Sequence, residues 1–449
     1  MLSEKKVKKL IDFAIDYAGK RVDGIEITVS SSDIATSRFA LNSMTQNQAP
    51  NLVSISVRVL VDSKQTRLET DEISENGIKN LVDNAIAVVN MLTPEKDLLP
   101  LPKPLSAKRY GKVDRFDKET ATMSPKERAL EVRKIIDAAI ASNVRSAGVY
   151  ASGSWLYAVG NSRGLFVYHK ESSAECSVTI EKENSSGWGK SQSTSNNDVN
   201  PTTIVAHAVQ TAETSHDPIE IEPGKFTTIL PPSAVLDLLS FLWSEFSATG
   251  HKDKLSSFID KVGQKVFGEN VNITDDFTHP LQAGLPFDGE GMPRHIVNLV
   301  ENGVLKNLVY GRKSALFFGV ESTGHGLTEP SLMGELPLNL VVQGGQTSLD
   351  EMVASTEHGI LLSRVWYVRL VDPTVLLLTG MTRDGTFLIE DGRIKSGLKN
   401  MRFNVSLIEL LNNVVQLGPV VRATGEEGFP AVIPPMKIAN FNFTSATKF

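Results

Sequence analysis

Apolar positions along the first ninety residues follow two periods, and the switch between them marks out the elements. Over residues 4–18, Val7, Leu10, Ile11, Ala14, Ile15 and Ala18 share one helical face. Residues 25–30 and 37–41 read as strands ending at an Asn42-Ser43 turn. Over 52–61, Val53, Ile55, Val57 and Val59 alternate onto one side of a strand. A second helix then carries Ile78, Leu81, Val82, Ala85, Ile86 and Val89.

Roughly 120 residues later the same order returns, which is the signature of an internal repeat. Ser124-Pro125-Lys126-Glu127 is a capping box with proline at the first helical position. The helix it opens has Val132, Ile136, Ala139 and Ile140 on one side. Strands are predicted at 147–152, 155–159, 166–170 and 177–181, with a turn at Asn161-Ser162. A closing helix holds Ile204, Val205, Ala208, Val209 and Ala212. The chain therefore reads as a duplicated α-β-β-β-β-α unit, at 1–92 and 124–218. A linker at 93–123 contains Pro94, Pro100, Pro102 and Pro104, too many for a helix or central strand. The polar stretch 185–200 reads as a mobile loop.

From 222 to 449 the pattern changes. A helix over 232–247 buries Val235, Leu238, Leu239, Leu242 and Phe246, and strands then dominate. Asn302-Gly303 and Asp391-Gly392 each sit between strand patterns, as type I′ hairpin turns require. Residues 375–379 read as a buried strand and 406–415 as the last helix. The fold class is α+β, with a mostly β C-terminal domain.

Composition narrows the function. The chain has 449 residues, 41% of them apolar, and a net charge of −6, which argues against a dedicated nucleic-acid binder. The cluster Lys5, Lys6, Lys8 and Lys9 reads as the solvated face of the first helix. Cys176 is the single cysteine, so one chain forms neither an internal disulfide nor a cysteine-based zinc cluster. Neither a signal-peptide core nor a run of about 18 apolar residues occurs. A cytoplasmic protein, away from membranes, is expected.

Several motifs have plain explanations. Gly160-Asn161-Ser162-Arg163-Gly164 fits G-x-S-x-G, but strand patterns flank it on both sides, so it reads as a hairpin turn. Gly187-Trp188-Gly189-Lys190-Ser191 ends like a phosphate loop, yet Asn184 stands where the leading glycine belongs. The eight histidines show no zinc-binding helix pattern. His325, beside Gly324, is the histidine singled out as a substrate or interface candidate, because glycine allows close backbone approach. Asp288 and Glu290 are paired acids beside glycines. They suit acid–base work or a hard cation, and equally a tight turn bonded to nearby amides, which is the preferred reading.

Several stretches, in order, resemble the TldD/PmbA family. They are Lys254-Leu255-Ser256-Ser257-Phe258, Pro286-Phe287-Asp288-Gly289-Glu290-Gly291, Glu301-Asn302-Gly303-Val304-Leu305, Ser322-Thr323-Gly324-His325 and Arg383-Asp384-Gly385-Thr386-Phe387. The family was once described as modulators of DNA gyrase and is now regarded as peptidase subunits. The resemblance implies a zinc subunit with His-Glu-x-x-x-His on a helix and a cysteine near the C-terminus. Laid on the 232–247 helix, those positions hold Ser240, Phe241, Leu242, Trp243, Ser244 and Glu245, and the cysteine position holds Thr424. Hydroxyls are poor zinc ligands and phenylalanine accepts no proton. The resemblance thus implies the TldE/PmbA-like branch: no catalytic residue and no metal in this chain, with zinc in a TldD-like partner of a heterodimer that cleaves unfolded peptides or peptide precursors. Two alternatives stay open. One is a stand-alone homodimer that binds peptides or modulates gyrase; the other is a hydrolase whose metal site has moved to Asp288, Glu290, Glu245 or His325.

Overall fold

Ser3 and Ser74 each open a helix by accepting a backbone N–H through the side-chain oxygen, from Lys6 and Gly77. Such caps satisfy amides that the first turn leaves unpaired. They start α1 (Glu4–Ala18) and α2 (Glu75–Met91). The expected Ser124–Glu127 capping box is present and opens α3 (Pro125–Ala141); Asn200 caps α4 (Pro201–Thr214). The computed structural model describes residues 1–426 and 428–447.

Repeat 1 contributes β1 (Gly24–Ser32), β2 (Ala35–Ala40), β3 (Ser43–Gln48), β4 (Leu52–Val61) and β5 (Lys64–Thr70). Repeat 2 contributes β6 (Arg145–Asn161), β7 (Phe166–Lys182) and β8 (Ser185–Ser193). The four strands expected in repeat 2 are thus two long ones, β6 and β7. The stretch from 185, expected as a loop, is mostly β8, paired with β7 from Ala174↔Ser193 to Lys182↔Ser185. Its serines and glycines hid a strand because one of its faces meets a helix backbone rather than side chains.

Both repeats build one eight-stranded sheet. β6 is antiparallel to β1 and β2 together, from Glu26↔Asn161 to Phe39↔Gly148, so equivalent long strands of the two copies meet head to tail at the centre. α1 and α2 cover the repeat-1 half through Ile25, Ile27, Ile55 and Val57. α3 and α4 cover the other half through Tyr150, Cys176, Val178 and Ile180. The linker is pinned rather than loose: the Asn161 amide donates to the Pro102 carbonyl at 3.0 Å, and Tyr110 Oη to the Gly291 carbonyl at 2.9 Å.

The C-terminal domain has two sheets. β9 (Gly224–Leu230) opens it; β10 (Ile273–Asp275), β11 (Val297–Glu301), β12 (Val304–Leu305) and β13 (Leu340–Val342) follow. Then come β14 (His358–Asp372), β15 (Leu377–Glu390), β16 (Arg393–Gly397), β17 (Met401–Ser406), β18 (Val414–Leu417), β19 (Val421–Ala423), β20 (Ala431–Ile433) and β21 (Met436–Ala446). One sheet runs β12-β11-β10-β13-β20-β19. In the other, β14, β9, β21, β17 and β15 pair in turn, and β15 returns to β14, closing a five-stranded ring. Each of those five strands is thereby paired on both sides over at least part of its length. Asn302 and Gly303 both have positive φ, as do Asp391 and Gly392, matching the expected hairpin turns. The strand expected from 375 starts at Leu377, and Val375 is exposed. The last helix is confined to Leu407–Asn412.

Candidate functional site

A cleft of about 770 Å³ lies where the repeat-2 half of the sheet meets the C-terminal domain. Trp188 to Lys190 of β8 and His207 of α4 form one wall. Leu361 to Ser363 of β14, Arg393 of β16 and Val421 to Thr424 of β19 and its outgoing loop form the other. The Gly-Trp-Gly-Lys run, a failed phosphate loop by sequence, has its role here. A Cβ on Gly187 would fall 1.9 Å from the Ala208 carbonyl oxygen, and one on Gly189 2.8 Å from Ile204. Only glycine lets α4 lie this close to β8, and the intervening Trp188 turns toward β14.

Trp188 meets Arg364, whose guanidinium lies 4.7 Å from its ring centre and 5.4 Å from that of Trp366. Arg364 Nε donates to Asp384 at 2.7 Å, and Nη1 to Glu426 at 2.8 Å. A planar cation stacked between indoles with its edge on two carboxylates is well suited to hold one geometry. Sequence reading missed Trp188, Arg364 and Trp366 as a unit; their signal was an isolated Trp between glycines.

The helix over 232–247 is divided. Pro232–Leu239 is α-helical (α5), and Ser240–Phe246 is 3₁₀. α5 opens on the cleft with Pro232 and Ser233, so the positive end of its backbone dipole faces the cavity. The structure does not bring Ser240–Glu245 to Thr424. Ser240 Oγ donates to the Asp237 carbonyl at 2.9 Å; Phe241 packs on the domain core; Ser244 is exposed. The buried Glu245 carboxylate accepts from Ser256 Oγ at 2.9 Å and from the Ser257 N–H at 2.7 Å, closing a neighbouring loop. Thr424 does line the cleft. The helix residue that meets its loop is Asp237, whose carboxylate accepts from the Glu426 N–H at 2.9 Å and the Gly428 N–H at 3.2 Å.

Asp288, Glu290, Gly324 and His325 lie elsewhere, against the other face of the sheet, where Tyr157 and Val159 meet Thr328 and Phe287. Asp288 accepts from the N–H groups of Glu290, Met292 and Gly326, each at 2.9 Å, so it forms the turn preferred from sequence. Burial, reinforced by the Glu290 charge, pushes its carboxyl up to about 7. Glu290 takes Arg312 at 2.8 Å and lies 3.7 Å from Arg58, tying the domain to repeat 1. Gly324 has φ +69°, and a Cβ there would stand 2.0 Å from the Pro293 carbonyl oxygen; the close approach is to its own backbone. The buried His325 ring stands 3.0 Å from Asp275 through Nε2 and 2.9 Å from the Thr323 carbonyl through Nδ1. Burial raises Asp275, but His325 and Arg294 more than offset it, leaving that carboxyl below its ordinary value. Among the described residues, no three His, Cys, Asp or Glu side chains are grouped to hold a metal ion, and no helix is long and apolar enough to cross a membrane.

The overall fold is similar to that of TldE from Thermococcus kodakarensis. That structure superposes with a TM-score of 0.85 at 22% identity, covering 98% of this chain and 99% of the other. Residues 223–445 match the PmbA/TldA metallopeptidase C-terminal domain. The chain belongs to the TldD/PmbA family. A relative named metalloprotease PmbA homolog, from Haemophilus influenzae, is 23% identical over 92% of this chain and 91% of its own length. A metalloprotease TldD homolog from Buchnera aphidicola is 30% identical over 36% of this chain; there the chain spans only 34% of the relative's length.

Proposed function

We propose that this chain is the non-zinc, TldE-like subunit of a TldD/TldE-type metallopeptidase assembly that cleaves unfolded peptides or peptide precursors. It works in the cytoplasm as a heterodimer with a TldD-like chain that carries the zinc. The observation that carries the proposal is the contact between α5 and the Thr424 loop. A His-Glu-x-x-x-His frame laid on the residues that face that loop, Pro232 to Asp237, puts Pro232 and Asp237 at the histidine positions and Ser233 at the base position. Proline offers no side-chain ligand, and serine is no general base at neutral pH. The Asp237 carboxylate is engaged with backbone amides. On this reading the side chains that face the Thr424 loop are unsuited to zinc.

The cleft supports a peptide ligand. β8 is bonded along one side to β7, and β19 along one side to β20, so strand edges border the cavity and offer main-chain pairing to an extended chain. The exposed apolar side chains Leu316, Phe317, Leu332 and Met333 support pairing with another chain. Co-expression with a TldD-like chain, followed by zinc content and peptide cleavage, tests the reading. A stable pair with zinc and activity is expected, whereas equal zinc-dependent cleavage by this chain alone would reject it.

A further inference from the structure

The chain carries a net charge of −6, yet the cleft wall reverses that sign. Among the described residues its charged side chains are Lys190, Arg393 and Arg422 against one carboxylate, Asp350. Arg422 is the informative one. Burial pulls its pKa down, Glu171 only partly offsets that, and Arg422 makes no ion pair among the described residues. Its Nη1 donates to the Leu281 carbonyl at 2.9 Å and Nη2 to Gln192 Oε1 at 3.1 Å, both uncharged acceptors. Its buried Nε has no partner among the described residues. Arg393 makes no ion pair among the described residues, and Lys190 donates to the Gly425 carbonyl at 3.2 Å and reaches Glu175 at 3.6 Å. Removing a guanidinium from water without a facing carboxylate is costly, and an anion delivered by a ligand offsets that cost.

We propose that the cleft selects peptides that bring a carboxylate to the Lys190–Arg393–Arg422 wall. The carboxylate is either a free C-terminus or an Asp or Glu side chain, since both present the same planar pair of acceptors to a guanidinium. This substrate class rests on the peptide-cleft reading above. The excess of cations also speeds capture of such peptides by a chain that otherwise repels them.

The test uses the whole chain and three fluorescein-labelled unstructured peptides of the same length. One is amidated and carries glutamates, one has a free C-terminus and glutamines, and one is amidated with glutamines. Fluorescence anisotropy at low salt is expected to give at least one anionic peptide a Kd about tenfold below that of the neutral one, and which peptide gains identifies the source of the carboxylate. The gain should shrink in Arg422→Gln. It should also shrink in Arg393→Gln, an exposed position where folding is not at stake. Equal affinity for all three peptides overturns the charge selection while leaving peptide binding intact. Failure of all three to bind removes both readings.

Discussion

The guanidinium carbon of Arg364, in the C-terminal ring, lies over the indole of Trp188 in the N-terminal sheet, 4.7 Å from its ring centre. This contact joins the two halves of the molecule at the edge of the cleft. The same guanidinium neutralises Asp384 and Glu426. Removing it leaves the buried Asp384 carboxylate with only the Ser186 hydroxyl at 2.6 Å and the Arg383 guanidinium at 3.8 Å. Arg364→Met should therefore destabilise the protein by about 3–5 kcal/mol in urea unfolding. Arg364→Lys should recover only part, because an ammonium supplies no planar fork. Full recovery by lysine would mean that charge alone matters there.

Asp237 provides a second handle on the cleft. Asp237→Ala removes the acceptor for the Glu426 and Gly428 amides. Each charge-assisted bond contributes about 1.5–3 kcal/mol, so measurable destabilisation is expected. Faster hydrogen exchange at those two amides is the specific readout. Unchanged exchange rates would show that the loop is held by something else.

Gly324→Ala should be poorly tolerated, since φ is +69° and the added methyl carbon would overlap the Pro293 carbonyl oxygen. A loss of about 2 kcal/mol or more is expected from thermal unfolding. Gly164, also at positive φ but with open space around it, is the control, and Gly164→Ala should cost less.

Asp288 gives stability a pH dependence. Its folded pKa of about 7 lies above the unfolded value near ~3.9. Between those values the folded chain holds a proton that the unfolded chain has released. This group's contribution therefore falls as pH rises from about 4 to about 7, and the fold is favoured near pH 5 relative to pH 8. Asp288→Asn should flatten that part of the slope, though it also weakens the Gly326 bond. Urea midpoints of both proteins across that range check the sign; identical slopes would reject the assignment.

Features set within a few residues were legible from the chain alone. Ser124 and Glu127 cap a helix because their partners are three residues apart, and Asn302-Gly303 turns because both residues accept positive φ. Asp288 was readable as a turn for the same reason. The 185–193 strand was not legible, because its register comes from β7 and its glycines answer to α4. Nor was the register of the Pro232–Asp237 segment against Thr424. It depends on a loop almost two hundred residues away.

What the sequence determined by itself was the kind of parts: a repeated α/β unit, a β-rich second half, and a family likeness carried by short ordered motifs. Periodicity and turn chemistry act over one or two turns of chain, so they survive without knowledge of the fold. Tertiary structure alone decided that the two repeats share one sheet through β6. It also decided that residues as distant as Trp188, Ser233 and Thr424 border one cavity. Those outcomes depend on which apolar faces bury against each other across hundreds of residues, a choice set by packing of the whole chain rather than by any local pattern.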